Sequence, residues 1–523
     1  MGQRLPIGLQ DFVKIREDGF LYVDKTTRIY ELLTGAGGVF FLSRPRRFGK
    51  SLLCSTLGAL FEGRRELFAG LAIDSLGWDW KKYPVIRIDL NPGRYEDGVS
   101  RLDARLSSAL LDAAQGAGLS LRGDVLEEQF GSLIKDMHAR FGQKAAVIID
   151  EYDKPLLNTI DNRELHEKMR IALKGVYGVL KSSDAHLKFV LLTGVTKFSK
   201  VSVFSDLNNL TDISMDPRYG DLCGITQEEL EEGFAGEIQQ TVEIKGLEKQ
   251  AYLAELKRFY NGYRFSEKPL TVYNPFALLN HFNRNGLFKI FWYETGTPTF
   301  LIKLIRDQKI DILNLEKKLV HLNDFSNYDN MEAVPVLYQS GYLTIVDYND
   351  EWQEFTLDYP NEEVRASFAK SLIEQYIHVP GADMRSLGVL LPKALRMGNI
   401  DAAMNALIPF FAAIPYDITL KDEKYYQTVM HLVFRMLGLD CRSEVRIAAG
   451  RIDTLVETKD YVYCFEFKLN GTADEALCQI DDKDYLLPWQ GTALQAGGKK
   501  LFKVGVAFDW ERRNIGEWKA AAG

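Results

Sequence analysis

The sequence predicts a three-part chain: an α/β unit built on a parallel sheet, a mostly helical middle and a smaller α+β unit at the end. Three observations carry this. Four short apolar-rich runs punctuate the first part, at 39–42, 85–90, 145–149 and 189–192. Between them lie segments with helical periodicity, such as Leu102, Leu106, Leu110 and Leu111, or Leu126, Phe130, Leu133, Ile134 and Met137. Short apolar runs separated by helices read as buried parallel strands. From Tyr219 to Thr428 the pattern is helix-rich; there only 342–346 and 355–357, straddling Asn349-Asp350-Glu351, read as a hairpin. Strands return at 452–456, 461–469 and 502–508, with a helix between the last two. The expected domains are therefore 1–218, 219–428 and 429–523.

Composition sets limits on function. The chain has 523 residues, 46% apolar and 26% charged, which is ordinary for a globular protein and excludes collagen-like, disordered and small disulfide-stapled classes. A membrane span needs about 18 consecutive apolar residues, and the best run, 406–414, is short and carries Pro409. The opening MGQRLPIGLQ has no apolar signal core, and Pro6 stands where a myristoylation motif wants Ser or Thr. Five cysteines lie far apart with no C-x-x-C, and seven histidines form no H-x₃₋₅-H pair, so a zinc site or disulfide framework is not expected and a reducing cytoplasm is. With Lys+Arg 64 against Asp+Glu 72, the net charge of −8 argues against a protein that coats nucleic acid, though not against a local basic groove.

The run GGVFFLSRPRRFGKSLLCSTLGALF reads as strand, loop, helix. Gly49-Lys50-Ser51 falls at the helix start, where backbone N–H groups and the helix dipole favour phosphate. Lys50 would reach the β- and γ-phosphates and Ser51 Oγ would hold Mg²⁺. The usual pattern is G-x-x-x-x-G-K-[ST], and here Arg44 replaces the first glycine, which calls the tight turn of the loop into question. About a hundred residues on, Ala145-Ala146-Val147-Ile148-Ile149-Asp150-Glu151 is an apolar strand ending in two acids. In a P-loop enzyme the Asp joins the Mg²⁺ shell and the Glu polarises the attacking water. The strand at 189–192 ends in Thr193-Gly194-Val195-Thr196-Lys197, where a polar sensor of the γ-phosphate would sit; a plain solvated loop reads equally well.

The second candidate site comes from strand geometry. Along Tyr461-Val462-Tyr463-Cys464-Phe465-Glu466-Phe467-Lys468-Leu469 the aromatic side chains share one face, and Val462, Cys464, Glu466 and Lys468 share the other. If Lys459-Asp460 is a two-residue hairpin loop, paired residue numbers add to 919 and Asp453 faces Glu466. Their Cβ atoms would lie about 5 Å apart, which is unfavourable for like charges unless something offsets it. A divalent cation, Mg²⁺ or Mn²⁺, suits two hard carboxylates, and Lys468 could orient or deprotonate a water that attacks a phosphodiester. The alternative is a half-exposed hairpin whose solvent face carries Asp, Glu and Lys. Charge does not decide, since 431–523 holds 13 Lys+Arg and 14 Asp+Glu.

These pieces together resemble the AAA-ATPase-like proteins fused to a PD-(D/E)XK nuclease domain, a prokaryotic family. The resemblance runs nearly end to end. Leu5-Pro6-Ile7-Gly8, Asp11-Phe12 and Tyr22-Val23-Asp24-Lys25-Thr26 match its opening. Residues 41–51 match its Walker A, with Arg44 as a family feature, and Asp150-Glu151-Tyr152-Asp153-Lys154-Pro155 match its Walker B. Phe204-Ser205-Asp206-Leu207-Asn208-Asn209-Leu210 resembles a later signature. Tyr260-Asn261-Gly262-Tyr263-Arg264-Phe265, Tyr273-Asn274-Pro275 and Gln339-Ser340-Gly341-Tyr342-Leu343 look like family marks, read here as structural. Gly450-Arg451-Ile452-Asp453, Glu466-Phe467-Lys468 and the segment from Gln479 to Tyr485 match its nuclease motifs, and Glu444 sits where such nucleases often supply a further acid.

The resemblance implies an ASCE/AAA-like P-loop fold, a lid or winged-helix-like middle and a restriction-endonuclease-like end. It implies an ATP-binding, ATP-hydrolysing protein coupled to a Mg²⁺-dependent nuclease, with DNA favoured over RNA, a homo-oligomer allowed, and roles in defence or mobile-element processes by association only. The expected nucleotide site is Arg47, Phe48, Gly49, Lys50, Ser51, Leu52, Asp150 and Thr193, with Ser51 and Asp150 on Mg²⁺ and Glu151 on the hydrolytic water. The expected nuclease site is Asp453 and Glu466 on the metal, Lys468 at the nucleophile and Gln479 in support. Two competing readings remain: a nucleotide-dependent switch that binds nucleic acid or a protein partner without cleavage, and a nuclease whose P-loop is inert because Arg44 and Pro45 distort it.

Overall fold

The computed structural model describes residues 3–35, 37–197, 207, 209–292, 301–302, 304–305, 308, 310, 312–315, 318–321, 333–374, 381–416, 419–493 and 498–523. They gather into two compact units, Met1–Thr295 with Lys317–Asn361, and Gly296–Glu316 with Glu362–Gly523.

The first unit is organised by a wholly parallel sheet of β1 (Val39–Ser43), β2 (Val85–Asp89), β3 (Ala145–Asp150), β4 (Leu187–Gly194) and β5 (Leu210–Asp212), in the order β2-β3-β4-β1-β5. The four apolar runs are β1 to β4. Every residue of β3 is buried, as a strand covered on both faces requires. The fifth strand, Leu210-Thr211-Asp212, is too short to leave a sequence signal. The order sets β4 between β1 and β3, so the strand ends carrying the loop, Thr193 and Asp150 lie side by side.

The rest of this unit is helical around a core of its own that includes Leu230, Phe234, Tyr252, Leu256, Tyr260 and Tyr273. Beside it stands an antiparallel sheet of β6 (Lys318–His321), β7 (Thr344–Asn349) and β8 (Glu354–Asp358). The expected hairpin is β7–β8, and β6 joins it. Residues read as structural marks are buried. Gly262 has φ 100°, and a Cβ there would stand 1.9 Å from the Pro360 carbonyl oxygen, so only glycine fits. Asn274 caps the helix Pro275–Asn283 by accepting from the Ala277 N–H at 3.1 Å. In the late signature, Leu207 is buried and Leu210 opens β5, while Phe204, Ser205, Asp206 and Asn208 lie outside the described residues.

The second unit carries a mixed sheet of β9 (Asp440–Ile447), β10 (Gly450–Glu457), β11 (Tyr461–Leu469), β12 (Lys500–Asp509) and β13 (Asn514–Ala522), in the order β13-β12-β11-β10-β9. Only β11 and β12 run parallel. Thr454 pairs with Phe465 and Glu457 with Val462 around the Lys459-Asp460 loop, which is the register expected from the sequence. The half-exposed hairpin is not found. β11 is the central strand, and Val462, Cys464 and Glu466 are as buried as the aromatic side. The helix Ala473–Asp482 covers that face, with Ile480 packing against Val462 and Cys464. Gly505 on β12 admits the helix closely, because a Cβ there would lie 2.3 Å from the Ala473 carbonyl oxygen. The edge strands β9 and β13 were not visible in the sequence. Among the described residues no helix is long and apolar enough to cross a membrane.

Candidate functional site

The loop after β1 turns without a glycine at its first position. Arg44 does not have a positive φ; the left-handed positions are Arg47 at 67° and Gly49 at 93°. The Arg44 side chain leaves the loop for the interior. Its guanidinium donates to the carbonyls of Ser43 at 2.8 Å, Ser214 at 2.7 Å and Tyr219 at 2.9 Å, and lies 4.1 Å from the centre of the Phe265 ring. Arg44 therefore ties β1 to the chain that follows β5, and the expected distortion of the loop is absent. Phe48 is buried with its ring edge-on to Tyr263 at 4.7 Å, whereas Arg47 is exposed and covers Phe276. Ser51 and Leu52 open the helix Lys50–Phe61.

Lys50 is buried, with Nζ donating to the carbonyls of Arg44 at 3.1 Å and Pro45 at 3.2 Å. Glu151 Oε1 lies 3.6 Å from the same nitrogen. Asp150 accepts from Thr193 Oγ1 at 2.5 Å and hydrogen-bonds Ser51. Burial pushes the Asp150 carboxyl above its ordinary range, against the pull of Ser51, Thr193 and Lys50. Glu151 sits at φ 54°, a left-handed position that a non-glycine residue holds only at a cost. The structure thus brings Lys50, Ser51, Asp150, Glu151 and Thr193 together. Lys197 is not with them; its ammonium pairs with Asp212 at 2.5 Å.

In the second unit Asp453 lies one step beyond the last ladder pair of β10 and β11. Its Oδ2 accepts from the Phe467 N–H at 2.9 Å, so a side chain continues the ladder where backbone pairing stops. Glu466 is 1% exposed; Oε1 accepts from Lys468 Nζ at 3.0 Å, and Oε2 is buried without a hydrogen-bond partner. Burial first, then opposed charges, pushes Asp453 up to about 6 and Glu466 up to about 7. Burial works to lower Lys468, but its bond to Glu466 and the charges of Glu423 and Asp453 outweigh it and hold the ammonium above its usual range. Gln479 is placed differently from the expectation: its side chain donates to Tyr485 at 3.3 Å, and no hydrogen bond links it to the carboxylates. Glu444 faces Asp453 from β9 in the register set by Ile452–Val445 and Thr454–Ser443, with φ 56° and an ion pair to Arg451 at 2.6 Å.

Two comparisons place these sites in a family. Residues 6–204 match the family model described as "Predicted AAA-ATPase", and residues 421–518 match that of the PD-(D/E)XK nuclease superfamily. A protein of Azotobacter chroococcum mcd 1, named "Uncharacterized protein in vnfD 5'region", is 38% identical over 526 residues, covering 98% of each chain. The chain belongs to the AAA-ATPase-like proteins with a C-terminal PD-(D/E)XK nuclease domain.

For a member of this family, two side-chain sets near the sites went unread in the sequence. In the ATPase-like part, Asp153 is fully buried; its Oδ2 accepts from the N–H groups of Val195 and Thr196 and from Thr196 Oγ1 at 2.7–3.0 Å, clamping the loop after β4. In the nuclease part, Glu423, Gln427 and His431 recur every fourth residue on the helix Glu423–Met436 and so share one face. Glu423 accepts from the Leu469 N–H at 2.9 Å, and Gln427 donates to Glu444 at 2.9 Å and the Asp453 carbonyl at 2.8 Å. A polar stripe at that spacing was the available signal. Among the described residues no three His, Cys, Asp or Glu side chains form a ready-made metal cage. The orphaned Glu466 oxygen beside Asp453 nevertheless fits a hard cation that keeps most of its coordination for water and phosphate.

Proposed function

We propose that this protein hydrolyses ATP at the P-loop and cleaves nucleic-acid phosphodiester bonds, DNA before RNA, at Asp453 and Glu466. The observation that carries the proposal is the buried pair of carboxylates with an unpartnered oxygen, next to a lysine held as an ammonium. A protein core tolerates such a pair poorly unless a cation joins it.

At the first site Lys50 exchanges the carbonyls of Arg44 and Pro45 for the β- and γ-phosphates. Ser51 and Asp150 hold Mg²⁺, Thr193 keeps Asp150 in place, and Glu151 accepts the proton of the attacking water. An apolar cavity of about 100 Å³ beside Gly49, walled by Tyr22, Val23, Leu52, Ile225 and Leu279, is suited to the base. At the second site Asp453 and Glu466 hold Mg²⁺ or Mn²⁺, which when bound polarises the phosphate and the water. Lys468, charged, faces the developing negative charge, and Phe467 N–H fixes Asp453.

Labelled duplex DNA, single-stranded DNA and RNA incubated with Mg²⁺ or Mn²⁺, with and without ATP, test the reading against Lys468→Ala and Lys50→Ala. Cutting that disappears in Lys468→Ala is expected. Cutting that survives in that variant refutes the nuclease assignment, and binding without cutting in any condition favours a nucleotide-dependent switch.

A further inference from the structure

Arg446 and Arg451 are directly opposite each other on the β9–β10 hairpin. Both are exposed. Opposite residues of an antiparallel pair share a face, and like charges in that position are destabilising. Arg451 is two residues from Asp453, so both arginines stand on the carboxylate face, about 7 Å along the strand from the acids. The ion pair from Arg451 to Glu444 agrees with that orientation. It leaves most of Arg451 in solvent, with 60% of its side chain exposed. Among the described residues Arg446 has no ion pair at all. The two guanidinium groups thus repel each other, and only one is partly compensated by the protein.

We infer that Arg446 and Arg451 form a phosphate clamp for the nucleic-acid strand being cut, holding the phosphate next to the one at Asp453 and Glu466. Two residues of β-strand separate the cationic row from the acidic row, a distance comparable to that between neighbouring phosphates on one strand. Guanidinium groups suit this task, since each offers a planar fork to phosphate oxygens. The arrangement also resolves a charge problem: nucleic acid approaching three carboxylates is repelled, and the hairpin supplies the counter-charge locally although the whole unit has no basic stripe. The inference rests on the nuclease reading for the identity of the strand, but binding by the arginines is separable from cutting.

The test is fluorescence anisotropy of a labelled duplex oligonucleotide and its single strand in EDTA across a KCl series, with cleavage in Mg²⁺ measured in parallel. Arg446→Ala is the cleanest variant because it breaks no ion pair among the described residues. It is expected to weaken binding about 10-fold and to lower the salt slope by about one, the signature of a lost phosphate contact. Arg446→Lys should recover most of the affinity and Arg446→Glu should lose more than Arg446→Ala. In cleavage, KM should rise with little change in kcat. A wild type that cuts while Arg446→Glu keeps the same KM and salt slope overturns the clamp and leaves the nuclease standing. A wild type that binds through the arginines but never cuts supports the clamp and sinks the nuclease reading. A wild type that neither binds nor cuts overturns both.

Discussion

Replacing Glu466 by glutamine should make the metal-free protein more stable at pH 8 while abolishing its use of metal. Asp453 is lifted from 3.8 to about 6 and Glu466 from 4.5 to about 7 by burial and by each other's charge. A folded carboxyl that holds its proton more tightly than the unfolded one stabilises the fold at low pH. That contribution is complete below about pH 4 and is lost as pH rises through about 7. Ionising both groups in the fold without a cation costs about 3 kcal/mol, counting once the repulsion they share and allowing for solvent at Asp453. The glutamine amide has no charge to repel Asp453, keeps an oxygen for Lys468 Nζ, and turns the unpartnered Oε2 position into a donor.

In EDTA at pH 8, Glu466→Gln should therefore gain about 2–3 kcal/mol, which for a unit of this size raises its melting transition by about 5–10 °C. At pH 5 wild type and variant should melt together, because Glu466 is then protonated. Adding Mn²⁺ at pH 8 should raise the wild-type transition and leave the variant unmoved. Scanning calorimetry at the two pH values, with EDTA and with Mn²⁺, makes the comparison. A variant no more stable than wild type at pH 8 in EDTA, or stabilised equally at both pH values, refutes the account of Glu466 as an electrostatically strained metal ligand.

Three further outcomes are expected. Lys50→Ala should weaken ATP binding about 100-fold, or about 2.7 kcal/mol, by calorimetric titration, since its ammonium is the charge held among the loop carbonyls. Arg44→Gly, which restores the usual first residue of the motif, should destabilise the first unit by at least about 3 kcal/mol without improving ATP affinity; the guanidinium's three buried carbonyl contacts would be orphaned, and denaturant unfolding reads the loss. Gly262→Ala should cost more than about 3 kcal/mol by the same measurement, or prevent soluble expression, because backbone on both sides fixes the 1.9 Å approach.

What could be read from the sequence was local, and what could not depended on distant chain. β1 to β4 were legible because a strand buried on both faces must be apolar throughout. β9, with Asp440, Arg442, Ser443, Glu444 and Arg446 among its eight residues, has no such signature, and neither does β13. The facing of Asp453 and Glu466 followed from a two-residue turn and the period of a strand. The burial of Glu466 did not, because it is imposed by a later helix. Arg44 looked like damage to the loop because the carbonyls it serves, at Ser214 and Tyr219, are 170 and 175 residues away. Glu423, Gln427 and His431 carry the polarity of a solvated face and became legible only against the strands they touch.

The same distant contacts decide what Lys468 does. As a base it would need to lose its proton near neutral pH, and burial alone would push it that way. Glu466, Glu423 and Asp453 push harder in the other direction. A cation bound by Asp453 and Glu466 would neutralise two of these three charges, but Glu423, bonded to the Leu469 N–H beside Lys468, would remain. The ammonium therefore serves as a fixed positive charge. Arginine, which keeps its charge at any working pH, discriminates the two roles. Lys468→Arg should retain a measurable part of kcat, within about 30-fold of wild type, whereas Lys468→Ala should fall by about 100-fold or more, as loss of one transition-state charge contact does. Single-turnover cleavage measures both. If Lys468→Arg is as dead as Lys468→Ala while still binding nucleic acid and Mn²⁺ normally, Lys468 must give up its proton, and the charges around it have been weighed wrongly.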